Sequence, residues 1–371
     1  MGEEMREIPL AKPFFGEEEV DAVRKTFKSG WVAGDGPNCK ALEEKITRRV
    51  RVKHAIVVGN CTEALHLALL ANGVKKGDEV IVSDYTYPAT AHAVMYCGAT
   101  PRFADVDVAT YNVSPHSVSK LVNSRTKGII PVHTFGQSAR MDEIVEIADS
   151  NDLFIVEDAA CAIGATFKGT PVGSIGDVGC FSMHARKNAT TGEGGFITTN
   201  DDSLAEKMRE LHYFGIKPAY NRSELPQFTS MGYNYKMSDI AAAIGSVQLD
   251  RLDSLIAKRR ALADKYSMAI KRIPGISIPY SSSVCKHIYQ SYVCMLDSNV
   301  DRQKLMDDLK AVGIGTQIGT YACHMQPVYN SKDKCFVSKA LFERSIALPM
   351  YYEMEPADVD FVAKSLKRLL S

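Results

Sequence analysis

Two polar residues in the middle of the chain have the types and surroundings that Schiff-base chemistry requires. Asp158 closes a strand-like apolar run that begins at Phe154, and two alanines follow it. Lys187 precedes a turn rich in glycine and hydroxyl side chains, residues 190–195. A lysine that forms a Schiff base needs a confined site, and a carboxylate is needed to keep the pyridine nitrogen of an aldehyde cofactor protonated. The pair therefore predicts a cofactor site.

Each of the two residues also has a simpler interpretation when it is considered alone. An aspartate at the end of a strand is suited to capping the helix that follows, and a lysine in a loop is commonly a solvated surface residue. The surroundings of Lys187 favour the site, because a strand end, a turn and several hydroxyl groups all lie close to it in the sequence.

The elements that must hold these residues alternate between strand-like and helical patterns. Short apolar runs predict strands, and apolar residues at three-and-four spacing predict helices. The strands are expected at residues 55–58, 79–82, 128–132 and 153–156, and the helices at residues 63–71, 89–96 and 141–148. This alternation indicates βαβ units around a mostly parallel sheet, which binds ligands at the carboxyl ends of its strands.

The pattern changes in the last third of the chain. One long helix is predicted over residues 237–273, and the Pro-Gly pair after it ends the helix. A further strand and two helices are expected at residues 292–296, 302–311 and 357–370. We therefore predict an α/β protein whose domain boundary lies inside the long helix. Residues 1–250, including an N-terminal arm, form the large domain, and residues 251–371 form a smaller α+β domain.

Composition excludes several classes of partner. Lys plus Arg and Asp plus Glu both total 44 in a chain of 371 residues, so no global charge attracts nucleic acid or a membrane surface. No apolar run is long enough to span a membrane, and residues 1–4 are acidic where a secretory signal is basic. The nine cysteines are scattered without a metal-binding pattern, which favours a reducing cytoplasm and no metal site.

The order and spacing of ten segments resemble the sugar-nucleotide aminotransferases of the DegT/StrS type, within the fold type I (aspartate aminotransferase-like) superfamily. The segments are residues 8–13, 29–31, 64–69, 77–82, 132–137, 157–160, 191–195, 232–239, 324–327 and 348–350. By this resemblance Lys187 aligns with the lysine that binds pyridoxal 5'-phosphate as a Schiff base, and Asp158 with the partner of its pyridine nitrogen. The resemblance also implies a homodimer with shared active sites.

The phosphate of the cofactor is expected where a strand ends and a helix begins, at residues 59–62, because free N–H groups and the helix dipole favour an anion there. An ordinary Asn or Thr helix cap is the alternative. Thr62 and Cys61 are the predicted contacts, although members of the family usually have Gly where Cys61 stands. Ser182 resembles a further phosphate-binding hydroxyl of the family.

Three more cofactor contacts follow from the resemblance. Tyr87 matches the aromatic residue that stacks on the pyridine ring. Cys161 stands near the 3'-oxygen of the cofactor, where relatives often carry Gln or His, and a thiol is a weaker hydrogen-bonding group. Asn234 resembles the residue that reaches the phosphate of the neighbouring subunit, and its alternative is a turn asparagine that starts the long helix.

Three candidates for substrate contacts are Trp31, His184 and His324, although a lone histidine commonly satisfies only a local hydrogen bond. The resemblance implies transfer of an amino group from an amino acid, usually L-glutamate, to a nucleotide-linked keto sugar. Residues 188–195 resemble members that aminate C4 of a 6-deoxyhexose. A 3-keto sugar or a keto-cyclitol as substrate, and a non-catalytic binding or regulatory protein, remain alternatives.

Two enzyme classes are disfavoured by single features. A nicotinamide dehydrogenase would need a glycine-rich motif after a strand, and residues 34–37 neither form that motif nor follow a strand. Family relatives that act as sugar dehydratases carry His where this chain has Lys187.

Overall fold

The computed structural model of the chain describes residues 7–217 and 225–370, and the acidic residues 1–4 lie outside this part. Its strands, numbered along the chain, are β1 His54–Val58, β2 Glu79–Ser83, β3 Tyr85–Thr86, β4 Thr100–Ala104, β5 Thr126–Ile130, β6 Phe154–Asp158, β7 Thr166–Phe167, β8 Thr170–Pro171, β9 Val178–Ser182, β10 Gly195–Thr199, β11 Ile276–Ser277, β12 Cys285–Lys286, β13 Tyr292–Leu296, β14 Gln317–Ile318, β15 Tyr321–Ala322 and β16 Ser345–Leu348.

The helices are α1 Glu17–Ser29, α2 Pro37–Val50, α3 Cys61–Ala71, α4 Ala89–Tyr96, α5 Pro115–Leu121, α6 Met141–Ser150, α7 Asp202–His212, α8 Asp239–Ile270, α9 Arg302–Ala311, α10 Phe336–Arg344 and α11 Pro356–Leu370. The predicted strands and helices all appear, with bounds that differ by a few residues. The long helix begins at Asp239 because the side chain of Ser238 accepts a hydrogen bond from the Ala241 N–H and caps it.

A seven-stranded sheet in the order β1-β10-β9-β6-β5-β2-β4 forms the centre of the molecule. Neighbouring strands from β9 to β4 are parallel, whereas β10 runs antiparallel to both β9 and β1. The predicted mostly parallel sheet is therefore confirmed. The carboxyl ends of β1, β6 and β9 meet at one edge, which is where the candidate chemistry lies.

Both faces of this sheet are buried, which explains the continuous apolar runs in the sequence. Successive side chains of a strand point to opposite faces. Val80, Val82 and Val156 pack with α3 and α4. Ile81 and Ile155 pack on the other face, in the cluster that includes residues of α5 and α6. Helices α2 and α8 cover the same face as α5 and α6, but over strands β9 and β10, around Phe181 and Phe196.

The four-stranded antiparallel sheet β11-β13-β16-β14 carries a second core. Helix α8 joins the two parts, since its apolar residues up to Ile256 pack with the large sheet and those from Leu262 onward pack with the second core. The N-terminal segment also joins this core, because Ile8 pairs with Ile314. The proposed division at residue 250 falls within α8 and stays a prediction.

Across residues 7–217 and 225–370, no helix is both long and apolar enough to cross a membrane.

A buried acid and histidine tie the β6 strand to its neighbours. Glu157 and His133 are both fully buried, and His133 Nε2 donates to a Glu157 carboxylate oxygen at 2.8 Å. The backbone N–H groups of Gly173, Ile175 and Gly176 also donate to this carboxylate, at 2.7 to 2.8 Å. Burial alone raises the pKa of Glu157, but the His133 and backbone donors outweigh burial and leave the pKa below its usual value.

We expect Glu157→Gln to lower the free energy of unfolding by about 3 kcal/mol, because an amide removes the charge and turns one acceptor oxygen into a donor that faces N–H groups. The folded-state pKa is lowered, so this contribution is present above the unfolded-state pKa and is lost as the pH falls through the folded-state value. Chemical denaturation at neutral and acid pH measures both effects. An equal loss from Glu146→Gln, on the exposed face of α6, would contradict the assignment.

Candidate active site

Lys187 lies in the tight loop that joins β9 to β10. The loop is closed by three bonds between backbone groups: Ala185 N to Gly192 O, Thr191 N to Met183 O and Lys187 N to His184 O, at 2.8 to 2.9 Å. Gly192 has a positive φ of 86°, a conformation in which a residue with Cβ is strained. The loop therefore has little freedom, and it places Lys187 Nζ 3.1 Å from the Sγ atom of Cys161.

Asp158 ends β6 directly beside β9, where its Cα partner is Cys180. Its side chain is 4% exposed. One carboxylate oxygen accepts a hydrogen bond from Thr90 Oγ1 at 2.7 Å, and the other accepts one from the Ala160 N–H at 3.1 Å. Burial raises the pKa of Asp158, against the opposing effects of Thr90, Ala160 and Lys187.

The surroundings of Asp158 fit the pyridine ring of pyridoxal phosphate. Among the described residues, no basic side-chain nitrogen lies within 4.0 Å of the Asp158 carboxylate. A buried carboxylate without a cation is costly, and each carboxylate oxygen has room for a second donor. A protonated ring nitrogen supplies both the missing positive charge and the missing donor.

The predicted phosphate site lies at the start of α3. Gly195 of β10 packs so closely against Asn60 and Cys61 that a Cβ there would lie 2.6 to 2.7 Å from their backbone atoms. Ser182 pairs with Gly195, and Gly195 pairs with Val58, so the Ser182 hydroxyl and the helix start share one edge. Cys61 is buried and is not among the residues with positive φ, so the position does not require glycine.

Asn60 and Glu63 shape the same helix start. Asn60 Oδ1 accepts the Glu63 N–H at 3.0 Å, and Glu63 accepts the Gly59 N–H at 2.9 Å. The helix-cap alternative for this segment therefore applies to Asn60. Thr62 is not the cap of α3. Burial raises the pKa of Glu63, against the hydrogen bonds from Gly59 and Asn60 that lower it.

Tyr87 follows β3 and is 67% exposed, with its ring centroid 6.0 Å from that of Tyr321 in an edge-on arrangement. It is therefore not a core aromatic residue. The backbone carbonyl of Tyr87 accepts the hydroxyl of Thr90 at 3.3 Å, and Thr90 in turn binds Asp158. This turn thus links the exposed ring to the buried carboxylate.

Asn234 is exposed, and its Oδ1 accepts a hydrogen bond from Lys236 Nζ. Its backbone pairs with Tyr213, whose ring lies under the same Lys236 Nζ at 4.2 Å from the centroid. The alternative that Asn234 starts the long helix is wrong, because Ser238 is the cap of α8. Asn234 instead faces outward beside exposed aromatic side chains.

The three predicted substrate contacts differ in their surroundings. His324 Nδ1 lies 2.7 Å from an oxygen of buried Asp84, and this hydrogen bond raises the pKa of His324. His184 is half-exposed, and its Nε2 lies 3.6 Å from Glu193. Trp31 is exposed in the loop after α1.

Thr90 and Asp84 were missed as site residues. Thr90 lies three residues after Tyr87, a spacing that places both residues on one side of a helical turn. This spacing is the sequence feature that could have identified Thr90 as a site residue. Asp84 holds His324 from a position 240 residues away in the chain, for which the sequence offers no signal. Asp84, His324 and Cys335 form the one group in the described ranges that could surround a metal ion. Each of these three residues already forms a hydrogen bond within the protein. The sequence analysis expects no metal site, and that expectation stays a prediction.

Comparison with known proteins identifies the kind of molecule that shares this arrangement. The model of the DegT/DnrJ/EryC1/StrS aminotransferase family matches residues 13–367. The chain is 38% identical to the spore coat polysaccharide biosynthesis protein SpsC of Bacillus subtilis, with 98% of this chain and 97% of SpsC covered. It is also 38% identical to a GDP-perosamine synthase of Caulobacter vibrioides, with 98% of each covered.

Solved structures give the same result. The aminotransferase TlmJ from Streptoalloteichus hindustanus superposes with a TM-score of 0.92 at 31% identity, over 97% of this chain and 98% of TlmJ. The sugar aminotransferase Spr1654 from Streptococcus pneumoniae, in its PLP form, gives a TM-score of 0.91 at 27% identity over 98% of each chain. Spr1654 has also been solved in its PMP form, and fold type I and pyridoxal phosphate dependence follow for this chain.

We expect Asp158→Asn to keep the fold and to slow the reaction with the amino donor roughly 10³-fold, because a neutral amide does not hold a proton on the ring nitrogen. Thr90→Val, which removes one hydrogen bond to the same carboxylate, should cost roughly tenfold. Single-turnover absorbance measurements give both rates. The control is Asp149→Asn at the exposed end of α6, and a near-normal rate for Asp158→Asn would place the partner of the ring nitrogen elsewhere.

Proposed function

The chain belongs to the DegT/DnrJ/EryC1/StrS aminotransferase family, and from that premise we propose that it transfers an amino group from L-glutamate to the ketone of a nucleotide-linked sugar. The observation that carries this proposal is the placement of Lys187 and the buried Asp158 carboxylate at or beyond the carboxyl ends of two neighbouring parallel strands, β9 and β6, at one edge of the sheet. The GDP-perosamine synthases of Caulobacter vibrioides and Escherichia coli O157:H7, 38% and 35% identical, support a nucleoside diphosphate sugar as the substrate.

Bound pyridoxal phosphate supplies an aldehyde carbon for the amino group and a ring that accepts electrons. In the proposal Lys187 Nζ would hold the cofactor covalently, and its free amine would carry a proton to and from the substrate. Asp158 would hold a proton on the ring nitrogen of the cofactor. The hydrogen bond from Thr90 would hold one carboxylate oxygen of Asp158 in position during the reaction.

The opposite end of the site would hold the phosphate. The first N–H groups of α3, the hydroxyl of Thr62 and the hydroxyl of Ser182 are the donors that we assign to it, and the helix dipole adds to their effect. Tyr87, exposed beside the Asp158 turn, would cover one face of the ring. Nine unpaired cysteines are in keeping with a reducing compartment, for which we propose the cytoplasm.

We also propose a homodimer in which Asn234 completes the site of the partner subunit. Asn234 is exposed among large apolar side chains that are also exposed, namely Tyr213, Phe214, Phe228 and Met231. Several large apolar side chains left exposed near one another in the sequence are in keeping with an interface, and two-fold symmetry would give each site the same residue.

Subunit exchange tests the shared site. Lys187→Ala and Asn234→Ala chains, each inactive alone, should regain activity when mixed, since one site of each heterodimer then receives both intact residues. An equal mixture should reach roughly a quarter of the wild-type sites. Mass spectrometry of intact dimers verifies the exchange. Activity that stays absent after verified exchange would reject the contribution of Asn234 across the interface.

For the keto position we propose C4 of a nucleotide-linked 6-deoxyhexose. The support is the resemblance of residues 188–195 to members that aminate C4. This segment directly follows Lys187 in the loop between β9 and β10, so its shape limits which sugar carbon can approach the amino group. Because a family transfers its reaction more safely than its regiochemistry, the substrate isomer must be tested directly.

The 4-keto and 3-keto isomers of one nucleotide sugar, each supplied with glutamate, should give amination at C4, identified by NMR of the product. Amination at C3, or reaction of a keto-cyclitol while every nucleotide sugar stays unchanged, would reject the substrate and keep the aminotransferase activity. A protein that binds pyridoxal phosphate but aminates none of these compounds would favour a binding or regulatory role. Glutamate is checked in the same assay by substituting other amino acids as donors.

A further inference from the structure

The side chain of Lys187 has one close polar neighbour, and it is a thiol. Cys161 Sγ lies 3.1 Å from Lys187 Nζ, and among the described residues it is the acceptor within hydrogen-bonding distance of that nitrogen. Cys161 belongs to the turn after β6, and Lys187 to the loop after β9, so the contact joins the ends of two neighbouring parallel strands. Cys161 is partly exposed toward the site.

The other ionisable groups around this pair have other partners or stay neutral. Asp158, on β6, is engaged by Thr90 and by the Ala160 N–H. Cys61 on α3 and Cys180 on β9 are buried, and burial together with the charge of Asp158 raises the pKa of both thiols well above the usual value. These two thiols therefore keep their protons, and Cys161 is the neighbour that can exchange one with Lys187.

The charge balance at Lys187 depends on this neighbour. Burial lowers the pKa of Lys187, but the charge and hydrogen bond of Cys161, with a smaller effect from Asp158, outweigh burial and leave the pKa above its usual value. A glutamine at position 161 would accept a hydrogen bond but not a proton.

We propose that Cys161 is a catalytic residue that forms a hydrogen bond with the amine of Lys187 whenever Nζ is not bonded to the cofactor. In this pair one proton is shared between Nζ and Sγ. This inference rests on the proposed function, in which Lys187 leaves and rejoins the cofactor in every turnover. In one form the nitrogen carries three hydrogens and the sulfur none; transfer of one proton to Sγ gives a neutral amine and a thiol. The total charge of the pair does not change.

This pairing with Cys161 should change the pH at which Lys187 reacts with an aldehyde. Only the neutral amine bonds to an aldehyde carbon, so a partner that favours the ammonium form moves this reaction to higher pH. Without an ionisable partner, burial becomes the dominant effect and favours the neutral amine. Loss of the Cys161 sulfur should therefore make Lys187 reactive at lower pH.

The test measures the rate at which pyridoxal phosphate attaches to full-length cofactor-free protein between about pH 7 and about pH 11.5, a span that covers an ordinary thiol and a lysine whose pKa is raised. Borohydride traps the adduct, and peptide mass spectrometry locates it at Lys187. In Cys161→Ser and Cys161→Ala the midpoint of the pH profile should fall by about one unit, which is about tenfold faster attachment below the midpoint.

Cys97→Ser is the matched control, because Cys97 is also a partly buried thiol but lies at the end of α4. Its profile should equal that of the wild type, and Lys187→Ala should give no adduct at that position. Thermal unfolding of each cofactor-free variant shows whether its fold is intact, and the serine variant preserves the size of the side chain.

Superimposable profiles for the wild type and both Cys161 variants, or a shift to higher pH, would overturn the role of Cys161 while leaving the proposed function intact. A shift in the alanine variant alone would mean that Cys161 provides only a hydrogen bond, which also overturns the shared proton. No adduct at Lys187 in the wild-type protein would overturn the proposed function and this inference together.

Discussion

The rest of the site depends on a buried carboxylate that, among the described residues, has no cation in direct contact. Asp158 is 4% exposed, and its two close donors, the hydroxyl of Thr90 and the N–H of Ala160, are both neutral. Such a group is tolerated in a folded chain when its surroundings are fixed and when a ligand with a positive charge restores the balance. The raised pKa of Asp158 is therefore a sign of a binding site rather than of a structural ion pair.

The sheet maintains this arrangement from the opposite face. Glu157 lies next to Asp158 in β6 but points the other way, and it binds His133 and three N–H groups of the segment that leads into β9. Strand β9 in turn leads to the loop of Lys187. One buried acid thus ties the strand that carries the second acid to the segment that leads into β9, the strand before the loop of Lys187.

Much of this arrangement could be predicted from the sequence because parallel strands bring distant residues to one edge by a general rule. Once β6 and β9 are recognised as neighbours, Asp158 and Lys187 must lie close together. The antiparallel direction of β10 was not predicted, since a strand of five residues carries no signal of its direction. The pairing of Asp84 with His324 depends on how the second core packs against the first, and local sequence patterns do not encode it. The contact of Cys161 with Lys187 depends on turn geometry after two strand ends, which hydrophobic periodicity does not describe.

The structure also separates what is shared with relatives from what is particular to this chain. Backbone features form the proposed cofactor end of the site: the helix start of α3, the close approach of Gly195 and the ends of β6 and β9. Side chains can vary against this backbone, as Cys61 does in a position that does not require glycine. Cys161 is a different kind of variation, because it places an ionisable group, a thiol, 3.1 Å from Lys187 Nζ. A change of that kind alters the pH at which the site works without altering its shape, so likeness of fold, with a TM-score of 0.92 to TlmJ, does not imply likeness of pH dependence.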